Sequence, residues 1–170
     1  MNTEITFQEI ATRSKLFNAF GTALAVAGLV MLSAWVKVPL PFTPVPVTMQ
    51  TLAVLLAAAV LPPGEASLGM GIYLLCGMAG APVFAVPFGP TFGYIVAFVM
   101  VPWVVSSLEN RAVGMLLSLG LIYGCGLSWL MFWTHLSFLD ATLLGVLPFV
   151  PGDIIKAVIA HRLACRFSRG

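Results

Sequence analysis

Apolar residues fall in long, nearly uncharged blocks along this chain, and the polar positions gather in short clusters between them. A membrane-spanning helix needs roughly 20 predominantly apolar residues, with its backbone polar groups satisfied internally. Measured with that ruler, the blocks predict six helices: Leu16 to Val36, Val47 to Leu61, Ala66 to Gly80, Thr91 to Leu108, Ala112 to Trp133 and Leu147 to Arg166. PPGE, Pro62 to Glu65, is a tight break between the second and third. These two blocks are short for a full span, so they need extension, a locally thin bilayer or burial inside the bundle. Phe7, Ile10 and Phe17 recur at near-helical spacing in TFQEIATRSKLF, which suggests a short interfacial helix on the cytoplasmic side, or else a plain tail. A single domain over residues 1–170 is expected, with residues 1–15 as a cytoplasmic N-terminal segment.

Composition turns these blocks from buried helices into membrane helices. Of the 170 residues, 60% are hydrophobic and 8% charged, and mean hydropathy is +1.04. Soluble domains carry roughly 25% charged residues. The expected fold class is therefore an all-α integral membrane protein. A net charge of +2, thinly dispersed, does not suggest a nucleic-acid partner. Cys76, Cys125 and Cys165 lack metal or redox spacing and read as small apolar fillers, without a disulfide framework. A cleaved signal peptide is not expected, because the first apolar block is too long for one.

Basic residues orient the spans. Arg13 and Lys15 precede the first, Arg111 lies between the fourth and fifth, and Arg162, Arg166 and Arg169 follow the sixth. Six spans put all of these on one side, the cytoplasm, together with both termini. Lys37 is the sole basic residue in the opposite loops.

The strongest candidate for chemistry is PGDIIK, Pro151 to Lys156. Asp153 and Lys156, three apart, share a helix face. A charge at membrane depth costs roughly 2.5–3.5 kcal/mol on insertion scales, so such a residue points to function. The pair offers an acceptor and a donor to one cavity. The alternative is a structural ion pair with the lysine snorkelling outward.

The second candidate is KVPLPFTPVPVTMQ, Lys37 to Gln50, with four prolines. Proline fixes φ and removes a donor, so the loop keeps an extended path and loses less entropy when it closes on a ligand. It fits a lid, or a connector whose prolines stop two helices. Thr48 and Gln50 follow it and could bond a ligand or nearby backbone. Tyr94, in GPTFGY, fits a cavity wall or an interfacial aromatic belt. Phe84 and Phe88 share that ambiguity. Ala19, Ala23 and Ala27 recur every four residues, a spacing that admits a close helix from this chain or from another protein. Walker, zinc-helix and nucleophile-elbow motifs are absent, and no catalytic or metal constellation is visible.

In order along the chain, VPLPFTPVPVTMQTL, AGAPVF, GPTFGY and LGVLPFVPGDIIK closely resemble the BioY family, the biotin-specific substrate-binding (S) subunits of energy-coupling-factor vitamin transporters. The resemblance implies a six-helix, non-enzymatic subunit in a prokaryotic inner membrane, without a cofactor. It implies biotin as ligand, and a transmembrane coupling protein with two ABC-type ATPases as partners. Residue by residue, Asp153 would accept from a ureido N–H of biotin. Lys156 would donate to the ureido carbonyl or to the carboxylate. Pro41, Phe42, Thr43 and Pro44 would cover the bicycle, and Gln50 and Tyr94 would line the wall. Ala19, Ala23 and Ala27 would dock on the coupling protein. A subunit for a different vitamin, or a biotin transporter acting without a dedicated energy module, is the alternative. The chain departs from the family pattern at AGAPVFAVPFGPTFGY, which is short and uncharged, and no second basic partner for the biotin carboxylate is visible there.

Overall fold

The computed structural model describes residues 2–84 and 86–167, with side chains from Lys15 onward. Eight helices and one short strand pair make up the described chain. In order they are α1 (Asn2–Trp35), β1 (Lys37–Val38), β2 (Val47–Thr48), α2 (Gln50–Val60), α3 (Pro63–Met78), α4 (Phe92–Phe98), α5 (Val101–Ser106), α6 (Arg111–Thr134), α7 (Phe138–Gly145) and α8 (Val150–Phe167). Within these, Lys15–Trp35 of α1 and all of α6 are each long and apolar enough to cross a membrane unaided.

The short second block is explained by burial. Helix α2 has only 11 residues, about 16 Å at 1.5 Å per residue. Gln50, Thr51, Ala53, Val54, Leu55, Ala57, Ala58 and Ala59 are all buried, so α2 is a central strut. Bilayer lipid is as apolar as leucine, so close packing rather than water exclusion holds such helices together. Small side chains permit that packing.

One expected helix is broken at proline, and another gains an extra helix before it. Thr91 to Leu108 divides at Val99–Met100 into α4 and α5. Pro102 has no N–H, and its ring crowds the carbonyl four residues back. The Trp103 N–H turns to the Met100 carbonyl, and the Val99 carbonyl it leaves accepts a hydrogen bond from Ser67 Oγ of α3 at 2.8 Å. The last block is preceded by α7, where a loop around His135 to Asp140 was expected. Ser137 caps α7, its Oγ accepting from the Asp140 N–H at 3.2 Å. Helices α7 and α8 meet at 50° across Val146–Phe149, a stretch that holds Pro148. The backbone of α1 continues without interruption through Thr6 to Phe17, in place of a separate interfacial helix. Phe7 and Ile10 lie outside the described side chains.

The alanine stripe of α1 packs inside the chain. Ala23 and Ala27 are 0% and 2% exposed, and Ala19 is half-buried. A Cβ on Gly69 of α3 would overlap the Ala23 carbonyl and the Val26 side chain, so the two helices touch backbone to backbone. Helix α3 thus meets α1 at Ala23 and Val26, on the stripe of Ala19, Ala23 and Ala27 where a partner was expected to dock. The three cysteines are free and half-buried.

Candidate functional site: a cavity floored by Asp153 and Lys156

A cavity of about 760 Å³, open mouth included, lies on the side of the bundle carrying the strand pair and the start of α8. Its walls come from Ala34 of α1, the 37–51 segment, Val83 and Phe84, α4, the middle of α6, and α8.

Asp153 and Lys156 form its floor. Pro148 and Pro151 frame the start of α8, and the three-residue spacing points both side chains the same way. Both are buried, at 5% and 8% exposed. Lys156 Nζ donates to Asp153 Oδ1 at 2.8 Å and to the Thr48 carbonyl at 2.6 Å. The second bond ties the α8 face to the lip of β2. Tyr123 of α6 donates to Asp153 Oδ2 at 2.7 Å. Burying an ion pair is tolerable only when its remaining hydrogen-bonding capacity is also met. Here most of it is. An ammonium has three donors and Lys156 has used two. A carboxylate has about four lone-pair sites and Asp153 has used two. The floor therefore keeps one N–H donor and free acceptor capacity, side by side.

Around the floor the polar groups are largely committed to one another. Thr48 Oγ1 donates to Gln50 Oε1 at 3.0 Å, and Gln50 Nε2 donates to the buried Tyr73 hydroxyl. Tyr94 donates to the Gly145 carbonyl at 2.8 Å, which joins α4 to the end of α7. Its ring rests on Gly126, where any Cβ would collide with it. Tyr94 therefore serves as a fixed wall rather than as an interfacial belt residue. Phe84, Phe98 and Phe149 add apolar surface. Among the described residues, the one buried side-chain nitrogen or oxygen without a partner is His161 Nδ1, outside this cavity.

The structure brings Asp153, Lys156, Gln50 and Tyr94 to one cavity, as the sequence suggested. Pro41, Phe42, Thr43 and Pro44 are not in its lining. Phe42 is 56% exposed, and Thr43 spends its hydroxyl on the Leu144 carbonyl at 2.7 Å. The loop instead contributes Val45 and Pro46. The strand pair decides this. Lys37 pairs with Thr48 and Val38 with Val47, so the loop folds back and its ends, rather than its tip, meet the cavity. Sequence reasoning missed Tyr123, Tyr73 and the cavity position of Lys37. Tyr123 could have been suspected as the tyrosine in the middle of the fifth apolar block.

Comparison with known proteins bears on the whole chain. Residues 6–170 match the model of the BioY family. A relative described as a probable biotin transporter BioY, from Bacillus subtilis, is 31% identical, over 91% of this chain and 92% of its own. The biotin transporter BioY2 of Lactococcus lactis is 36% identical, over 86% and 87%. Among solved structures, the S-component for biotin from an ECF-type ABC transporter superposes with a TM-score of 0.80 at 20% identity, over 92% of this chain and 94% of that one. At that identity the superposition speaks for the fold, and the matches along the sequence settle the relationship. This chain belongs to the BioY family.

Proposed function

We propose that the protein is a biotin-binding membrane subunit that takes part in biotin uptake and performs no chemistry on its ligand. The observation that carries the reading is the buried Asp153–Lys156–Tyr123 cluster at the floor of the cavity. Biotin carries two ureido N–H donors flanking one carbonyl, an apolar bicycle and a valerate carboxylate. Asp153 accepts from a ureido N–H. The spare N–H of Lys156 meets the carbonyl beside it, because its other two donors are held by Asp153 and Thr48. Tyr94, Phe84, Phe98 and Phe149 face the bicycle, and Gln50 braces the wall through Tyr73. The loop over Pro41, Phe42, Thr43 and Pro44 acts as the outer cover, with Val45 and Pro46 as its inner surface.

In the membrane, α4 with α5 and α7 with α8 each count as one broken span. With α1, α2, α3 and α6 they make six, in a single domain over residues 1–170 with both termini cytoplasmic. The location is a prokaryotic plasma membrane. A coupling protein and ABC-type ATPases supply the energy. That partner is expected to dock along the Ala19, Ala23 and Ala27 stripe of α1, beside α3. Titrating the detergent-purified chain with biotin, and with riboflavin as decoy, tests the reading by calorimetry. Saturable binding of biotin alone is expected. Riboflavin binding would move the assignment to another vitamin, and binding of neither would sink it.

A further inference from the structure

The charges around the cavity do not cancel. Its lining holds three charged residues, Asp153, Lys156 and Lys37. Asp153 and Lys156 neutralise each other at the floor. Lys37 makes no ion pair among the described residues, so the cavity carries one unmatched positive charge. The backbone that carries this charge is held by the strand pair. Lys37 is paired in antiparallel register with Thr48, the residue whose carbonyl holds Lys156. Residues opposite one another in such a pair have Cα atoms about 4.5–5.5 Å apart. One cation is thus held at the floor with two of its donors committed. The other belongs to a residue of the exposed strand that borders the cavity.

We propose that Lys37 is the carboxylate receptor of the site, a specificity residue that selects a monoanionic ligand and sets its direction, ring at the floor and acid at the mouth. This rests on the reading of the cavity as a biotin site. It answers the lack of a basic residue in AGAPVFAVPFGPTFGY: the second cation comes from the 37–51 segment instead. It also assigns Lys156 to the ring end. A long, flexible ammonium at a half-open mouth can follow the end of a valerate chain, whereas the tethered Lys156 cannot.

The test uses the full detergent-purified chain and two ligands, biotin and biotin methyl ester, which differ in the negative charge. The wild type is expected to bind the acid about tenfold more tightly than the ester, the size of one charge-assisted contact. Lys37→Met should weaken the acid about tenfold, leave the ester unchanged and bring the ratio near one. Lys37→Arg should restore the preference. A wild-type preference that survives in Lys37→Met overturns the proposal, as does an equal loss for both ligands, which marks a purely structural role. A wild type that binds both ligands equally also overturns it. A wild type that binds neither removes the biotin reading itself and this proposal with it.

Discussion

Two proline-bearing segments frame the cavity, and they do opposite jobs. Leu147 to Lys156 starts a helix and delivers two buried charges, each held by further hydrogen bonds. Lys37 to Gln50 crosses the mouth, and most of its tip is exposed. One segment is locked before a ligand arrives. The other is held by a strand pair of two residues on each side and by the Thr43 bond to Leu144. Prolines stiffen both segments, but stiffness places a side chain only where the ends are anchored. Apart from the Lys37 contact at its anchored end, the cover should govern escape, and affinity should reside in the floor.

Substitutions can break or sharpen this contrast. The largest effect is expected at Asp153. Removing one partner of a buried ion pair costs about 3–5 kcal/mol, so Asp153→Ala should lower thermal stability as well as abolish biotin binding. Asp153→Asn keeps the shape and should separate the two effects, with binding lost and most of the fold retained in a thermal melt. Tyr123→Phe removes one bond to a carboxylate, worth about 1.5–3 kcal/mol. Calorimetry should show an affinity loss of about tenfold or more with little change in secondary structure. Thr43→Val opens the latch to Leu144, a bond worth about 0.5–1.5 kcal/mol. Stopped-flow release of biotin should speed up several-fold while the bound geometry is unchanged. Phe42→Ala should change affinity least, less than about threefold, because an exposed side chain outside the lining loses little on truncation.

The floor was legible because charge inside an apolar block is rare and costly, so Asp153 and Lys156 stand out without any tertiary knowledge. Tyr123 was not, because its link to Asp153 spans 30 residues and depends on how α6 faces α8. Lys37 read as a marker of membrane orientation, and only the pairing with Thr48 brings it to the cavity. The fourth block looked continuous by hydropathy, although Pro102 within it carries the physical reason for its break. Helix α7 was hidden by its length of eight residues, though Ser137 and Asp140 have the spacing of a capping pair. Regular spacing of Ala19, Ala23 and Ala27 identified a close helix contact but not the partner. The glycine at 69, on another helix, brings α3 against Ala23 of that stripe.

The central claim is that the buried Asp153–Lys156–Tyr123 cluster, and not the proline cover, anchors biotin. Parallel calorimetric titrations of wild type, Asp153→Asn and a Pro41→Ala/Phe42→Ala/Pro44→Ala variant test it most directly. The account predicts no detectable binding in Asp153→Asn and near wild-type affinity in the triple variant. Retained biotin binding in a folded Asp153→Asn protein, with binding lost in the triple variant, would contradict it.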